Sequence, residues 1–244
     1  MSKRKIPVTG VVILTLAAMM LAVFVWQRLA ETRAREAVTE PPATAETTTE
    51  PVTEPPGPTL PLMDFSDLLA MNHEVIGRVV IEGIGLDEPV VQGTDNGYYL
   101  THTPARREHK NGSLFLDYRV SKDFTGFNSV VYGHYRSTGE MFGKLKQLRG
   151  QAVFDKVPEG MLYTPERTYR LEIFASVLTP ATSGFYHFIF LGEKSRAEHL
   201  EMIRENAVCY RDIGVTANDR LLVLSTCSYE YEDARTVIVA RLAG

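Results

Sequence analysis

A cysteine closes one apolar run and an arginine opens the next, eight residues later: Leu221-Leu222-Val223-Leu224-Ser225-Thr226-Cys227, a polar loop, then Arg235-Thr236-Val237-Ile238-Val239. Far upstream a histidine ends a similar run, Ser129-Val130-Val131-Tyr132-Gly133-His134. A thiol, an imidazole and a guanidinium delivered by β-type segments suit acyl transfer through a covalent thioester. The imidazole shuttles protons, and the guanidinium stabilises the oxyanion formed when a thiolate attacks a carbonyl. Taken as a hairpin, the last two runs bring Cys227 and Arg235 to one rim. Cys227 then shares parity with Ser225 and Val223, and Arg235 with Val237, Val239 and Arg241, although Arg241 falls at the far end of its strand and is the poorer partner. Each residue also has a bland reading. Cys227 would be an inert core thiol and His134 a loop histidine with a structural hydrogen bond, and Cys209, beside a helix end, fits the inert reading better.

The elements that must position these groups are mostly strands. Short β-type runs span Arg78–Ile81, Glu88–Val91, Ser113–Leu116, Ser129–Tyr132, Thr168–Val177, Arg220–Thr226 and Thr236–Leu242, with turn signals at Gly83, Gly85, Asn96-Gly97, Asn111-Gly112 and Gly126. Their number and spacing predict a mainly β domain, an antiparallel barrel or sandwich. A short N-terminal helix is expected over Asp64–Met71, with Asp64 as N-cap and Leu68, Leu69 and Met71 apolar. Ser195-x-x-Glu198 reads as a capping box for an inserted helix over 195–207, with Ala197, Leu200, Ile203 and Ala207 as its apolar face. A second short helix is expected over Met141–Leu148.

Composition excludes several classes of function. The net charge of −4 and the lack of a basic stretch studded with aromatics argue against nucleic-acid binding. Two cysteines in 244 residues do not make a secreted disulfide framework, although a Cys209–Cys227 bridge is compatible with the sequence. No CxxC or HExxH spacing points to a metal, and the residues require no cofactor.

The N-terminus reads as an anchor. Lys3, Arg4 and Lys5 precede an uncharged run from Ile6 to Trp26, long enough to cross a bilayer as a helix, with Trp26 where an interfacial aromatic is expected. A cleaved signal peptide is the alternative; the run is longer than a usual signal core and no small-x-small site closes it. Residues 38–61 hold seven Thr, seven Pro and four Glu, with Val-Thr-Glu-Pro-Pro at 38–42 and again at 52–56. Such a stretch favours extended polyproline backbone, and at about 3.1 Å per residue it reaches roughly 70 Å. The expected organisation is a cytoplasmic tail at 1–5, a transmembrane anchor at 6–28, a stalk at 29–61 and a catalytic domain at 62–244 held outside the cell membrane.

The chemical trio resembles the sortases, membrane-anchored cysteine transpeptidases of Gram-positive bacteria. Ser225-Thr226-Cys227, Arg235 and Gly133-His134 match the family pattern. The likeness extends to class B sortases through the segment from Glu88 to Leu100, through Gly112-Ser113-Leu114-Phe115-Leu116-Asp117-Tyr118-Arg119, through Tyr132-Gly133-His134 followed by Met141-Phe142-Gly143-Lys144-Leu145, and through the inserted helix. Two positions differ from many relatives: Arg78 follows Ile76-Gly77 where a tryptophan is common, and Tyr135 stands where polar residues are frequent. The resemblance implies a sortase-like closed β-barrel with an N-terminal helix and an inserted helix between late strands. It implies Cys227 as nucleophile, His134 as proton shuttle and Arg235 as oxyanion partner, with Asn96, Leu100, Tyr132, Thr182, Tyr186 and Ser225 lining a substrate groove. It implies secreted proteins with a C-terminal sorting motif of the Asn-Pro-x-Thr-Gly/Asn or Ser-Pro-x-Thr-Gly type as substrates. The acceptor would be an amine of a cell-wall precursor or a pilin. A surface cysteine peptidase using water as acceptor, and a catalytically silent domain on a stalk, are the competing readings.

Overall fold

In the computed structural model the described residues are 60–227 and 233–244. The transmembrane segment expected at 6–28 and residues 29–59 of the stalk expected at 29–61 lie outside them, as does most of the loop between Cys227 and Arg235. Among the described residues no helix is long and apolar enough to cross a membrane.

Nine strands form one sheet: β1 (Val75–Ile81), β2 (Leu86–Val91), β3 (Leu114–Leu116), β4 (Asn128–Tyr132), β5 (Glu159–Tyr163), β6 (Thr168–Pro180), β7 (Ala207–Tyr210), β8 (Arg220–Cys227) and β9 (Ala234–Ala243). Their order is β5-β1-β2-β3-β4-β8-β9-β6-β7, and β6 also pairs with β5, so eight strands close into a barrel with β7 flanking. The expected barrel is therefore present, and the sandwich is not. Two pairings depart from the antiparallel expectation: β2–β3 and β4–β8 are parallel. Six of the seven expected strands extend further in the structure, β3 starts one residue later than the expected Ser113, and two strands were not expected at all. β5 carries a glycine and a glutamate in five residues, and β7 is short and follows a helix without a break, so neither shows the period-two signal that marks a strand.

Alternation along the strands sorts the core. Val79 and Ile81, Leu114 and Leu116, Leu162, Leu171 and Ile173, Leu222 and Leu224, and Ile238 and Ala240 fill one buried cluster, one face of each strand turned to the lumen. Val130, Phe174, Leu221, Val223, Val237 and Val239 form another on the opposite face, under Phe185 and Ile203. Each such aliphatic side chain contributes roughly 1.5–3 kcal/mol on burial, and β4, β6, β8 and β9 feed both clusters.

The helices correct several expectations. α1 (Ser66–Met71) starts two residues later than Asp64, which still accepts hydrogen bonds from Ser66 N–H (2.8 Å) and Oγ–H (2.6 Å); Leu69 and Met71 are exposed. The helix expected at Met141–Leu148 is a 3₁₀ helix, Phe142–Arg149, followed by α2 (Gln151–Lys156). α3 (Glu193–Asn206) begins before the expected capping box. Gly192 takes the N-cap position, and Ser195 Oγ donates back to its carbonyl (2.9 Å) rather than capping a helix of its own. Its buried residues are His199 and Ile203, while Ala197 is exposed and Ala207 already belongs to β7. The apolar reading missed this because the buried face is centred on a histidine.

Candidate active site

The parallel β4–β8 pair puts Tyr132 opposite Ser225. Both strands therefore end at the same rim, one continuing into Gly133-His134 and the other into Thr226-Cys227, and Gly133 N–H donates to Ser225 O (3.2 Å). On the other side of β8, the antiparallel ladder sets Cys227 opposite Arg235. Arg235 in turn faces Thr179 of β6. Three strand ends thus deliver the thiol-bearing, imidazole-bearing and guanidinium-bearing backbone to one edge of the barrel, as the hairpin reading expects. Arg241, set aside because it lies at the far end of its strand, is spent on an ion pair with Glu172 at the opposite end (Nε–Oε2 2.6 Å).

Local packing explains why Gly precedes His134. A Cβ at Gly133 would lie 2.4 Å from Leu114 Cδ2 and 2.8 Å from Phe142 Cδ2, so only glycine lets β4 turn out of the sheet there. His134 is half-buried, and its Nε2 lies 2.7 Å from the Leu100 carbonyl. A carbonyl only accepts, so Nε2 carries the proton and Nδ1 is the basic nitrogen of the neutral ring. Gly112 passes close behind the Leu100 carbonyl with left-handed backbone (φ 60°), and a Cβ added there would lie 2.6 Å from that oxygen.

Beside this edge lies a cleft of about 540 Å³, lined by Asn96, Leu100, Tyr132, His134, Tyr186, Ser225 and Arg235 together with Phe115, Arg119, Gly133, Ala181 and Thr226. Of the expected groove residues, only Thr182 falls outside the lining; it is exposed on the turn after β6, next to Ala181. Tyr186 and Ser225 are hydrogen-bonded through their hydroxyls (2.9 Å), and the rings of Tyr132 and Tyr186 stack at 6.1 Å. Arg119 was not among the expected groove residues, although the matched segment from Gly112 ends on it. Its guanidinium lies 4.4 Å over the Phe188 ring and pairs with Asp117. Burial pushes the Asp117 carboxyl up, but hydrogen bonds from Arg119 and Asn96 outweigh it and hold the group below the usual carboxylate range. Tyr132 is shifted the other way, raised by burial and by the nearby Asp117 charge, so its phenol stays protonated.

Cys209 sits on β7, buried, as a free thiol whose Sγ–H donates to Arg149 O (3.4 Å); burial pushes its pKa up, which disfavours the reactive thiolate. A second cavity, about 580 Å³, opens beside the β5–β6 turn among His73, Lys122, Asp123 and Arg167, and it contains none of the chemical trio. Among the described residues no group of His, Cys, Asp and Glu is placed to hold a metal ion.

Comparison with known proteins agrees with this geometry. A family model described as the Sortase domain matches residues 79–243. The chain is 31% identical over 183 residues to Sortase B of Listeria monocytogenes, covering 73% of this chain and 74% of that protein. It is 27% identical over 180 residues to Sortase B of Staphylococcus aureus, with the same coverage. Among solved structures, Clostridium perfringens Sortase B superposes with a TM-score of 0.70 at 29% identity, over 74% of this chain and all (100%) of that one. A Streptococcus pyogenes class B sortase involved in pilus biogenesis gives 0.68 at 30% identity, over 74% and 98%.

Proposed function

The chain belongs to the sortase family of cysteine transpeptidases, and from that premise we propose that it cleaves a C-terminal sorting motif after threonine and passes the acyl group to an amine. Cys227 passes its thiol proton to His134 Nδ1 and, as thiolate, attacks the threonine carbonyl, and the tetrahedral oxyanion is stabilised by Arg235 and by backbone N–H groups near Cys227. The C–N bond then breaks, and His134 gives its proton to the departing amine, leaving a thioester. An acceptor amine attacks that thioester, His134 takes its proton, and Cys227 is released as thiolate. Because Nε2–H is committed to the Leu100 carbonyl, Nδ1 is the nitrogen that carries the proton in both steps.

The observation that carries the reading is the register: Tyr132 opposite Ser225 and Cys227 opposite Arg235 bring three chemically competent strand ends to one cleft. The motif is of the Asn-Pro-x-Thr-Gly/Asn or Ser-Pro-x-Thr-Gly type, and the acceptor is a cell-wall precursor or a pilin. The domain works outside the cell membrane, held by residues 6–28 with the N-terminus in the cytoplasm. The polybasic start, the uncharged run and the Thr/Pro/Glu-rich stretch support that placement.

The test uses the full chain in detergent with quenched fluorescent peptides of both motif types, with and without an added amine. Cleavage between Thr and Gly, a ligated product when amine is present, and no product from Cys227→Ala are expected. Hydrolysis that never yields a ligated product would favour the peptidase reading, and the absence of any Cys227-dependent product would overturn the enzyme reading for these motifs.

A further inference from the structure

One carboxylate organises a wall of the cleft without reaching the cleft itself. Asp117 directly follows β3 and is fully buried (0% exposed). Its Oδ1 accepts from Arg119 N–H (3.0 Å) and Nε–H (2.8 Å). Its Oδ2 accepts from the second arm of the Arg119 fork (2.7 Å), from Asn96 Nδ2 (2.9 Å) and from the Tyr132 hydroxyl (3.1 Å). The three donor side chains all line the cleft, and Asp117 does not.

The carboxylate is itself fixed. Asp117 N–H donates to Val130 O (2.9 Å), and its carbonyl accepts from Gln92 Nε2 (3.0 Å) and Val120 N–H (3.2 Å). Asn96 is held at both ends, since its Oδ1 accepts from Tyr118 N–H (3.1 Å). Tyr132 passes the restraint onward by stacking on Tyr186, whose hydroxyl meets Ser225 two residues before Cys227. A carboxylate that satisfies several donors at once sets their mutual orientation, and a half-satisfied polar network loosens as a unit.

We propose that Asp117 is a positioning residue for substrate capture, locking Asn96, Tyr132 and Arg119 into one preformed recognition wall. It rests on the transpeptidase reading above. The Asp117 carboxylate is bonded to Asn96, Arg119 and Tyr132 and to neither His134 nor Arg235, so its loss weakens peptide binding and leaves the chemical step nearly intact.

The test is steady-state cleavage of the sorting peptide by the full chain. Asp117→Asn keeps the shape but turns an amide donor toward Asn96 and Arg119; KM is expected to rise roughly tenfold with kcat held within about twofold. Tyr132→Phe removes only the hydroxyl on Asp117 and is expected to raise KM by roughly threefold. In the double variant the two effects are expected not to multiply, because one bond is lost twice. Should Asp117→Asn fail to fold, Asp117→Glu, which keeps the charge and displaces it, takes its place in the same cycle. Unchanged KM, a fall confined to kcat, or effects that multiply fully would each overturn the inference. If the unsubstituted chain turns over and only these patterns fail, the positioning role falls alone; if the unsubstituted chain never turns over, both readings fall together.

Discussion

Arg235 lies between Cys227 and Thr179 in the sheet, and its NH1 donates to the Ala234 carbonyl (2.9 Å), which orients the fork at its base. A planar, five-donor guanidinium fixed this way presents donors in a set direction, which a rotating ammonium does not reproduce. Arg235→Lys is therefore expected to lower kcat by roughly 100-fold while leaving peptide cleavage detectable. Near-normal turnover would remove Arg235 from the mechanism. Cys209→Ala is expected to leave turnover unchanged, since its thiol faces the Arg149 carbonyl and not the cleft; loss of activity would mean that the nucleophile has been misassigned. A different residue governs stability in acid. His199 is buried among Phe127, Phe185 and Phe190. Burial, with a smaller contribution from His187, lowers its pKa from 6.5 to about 4. The unfolded chain then binds a proton that the folded one refuses between those values. Stability is full above pH 6.5 and falls as pH drops toward 4, by up to about 3 kcal/mol. Melting temperature measured across that window is expected to fall in the unsubstituted chain and to fall less in His199→Phe; parallel curves would show that other groups set the slope. His199 also shows where sequence stops being legible. A histidine in the middle of an amphipathic helix scores as polar, so the expected apolar face over Ala197, Leu200, Ile203 and Ala207 found the buried Ile203 and the partly buried Leu200 but missed His199.

At the scale of elements, the catalytic strand ends were legible because each carried its signature locally: an apolar run, a closing polar residue and a turn. What was not legible was the side of the sheet from which each neighbour comes. Nothing in Ser129–Tyr132 or Arg220–Thr226 tells whether they pair parallel or antiparallel, since both faces of both strands are buried and alternation is muted. The wall around Asp117 was hidden for a related reason. Its partners come from positions 96, 119 and 132, and only the barrel brings them together. The loop that supports His134 gives a direct test of element-level control. Gly112 is left-handed, and a Cβ there would meet the Tyr99 and Leu100 carbonyls at 2.4 and 2.6 Å. Gly112→Ala is expected to destabilise the fold by about 1–3 kcal/mol and to displace the carbonyl that holds Nε2. Its kcat is then expected to drop even at temperatures where circular dichroism shows a folded chain. A folded variant with full kcat would mean that the Leu100 contact does not orient the imidazole.

At the scale of the whole molecule, the proposed placement outside the membrane rests on the sequence of residues 1–59. If residues 6–28 anchor the chain with the domain outside, protease applied to intact cells is expected to remove the domain, while lysed cells show no further loss. Survival of the domain on intact cells would reverse the proposed orientation.

The pairing of β8 between β4 and β9 has a consequence in time. Barrel closure needs β8 and β9, the last two strands among the described residues, because they bridge β4 to β6 and so complete the ring that β5–β6 pairing joins at the other side. During synthesis, His134 and the cleft wall around Asp117 leave the ribosome long before Cys227 and Arg235 do. Contacts of such sequence separation form late. The acyl-transfer site proposed above is therefore incomplete until β8 and β9 pair, and a product truncated before Cys227 that still carries His134 is expected to be chemically silent.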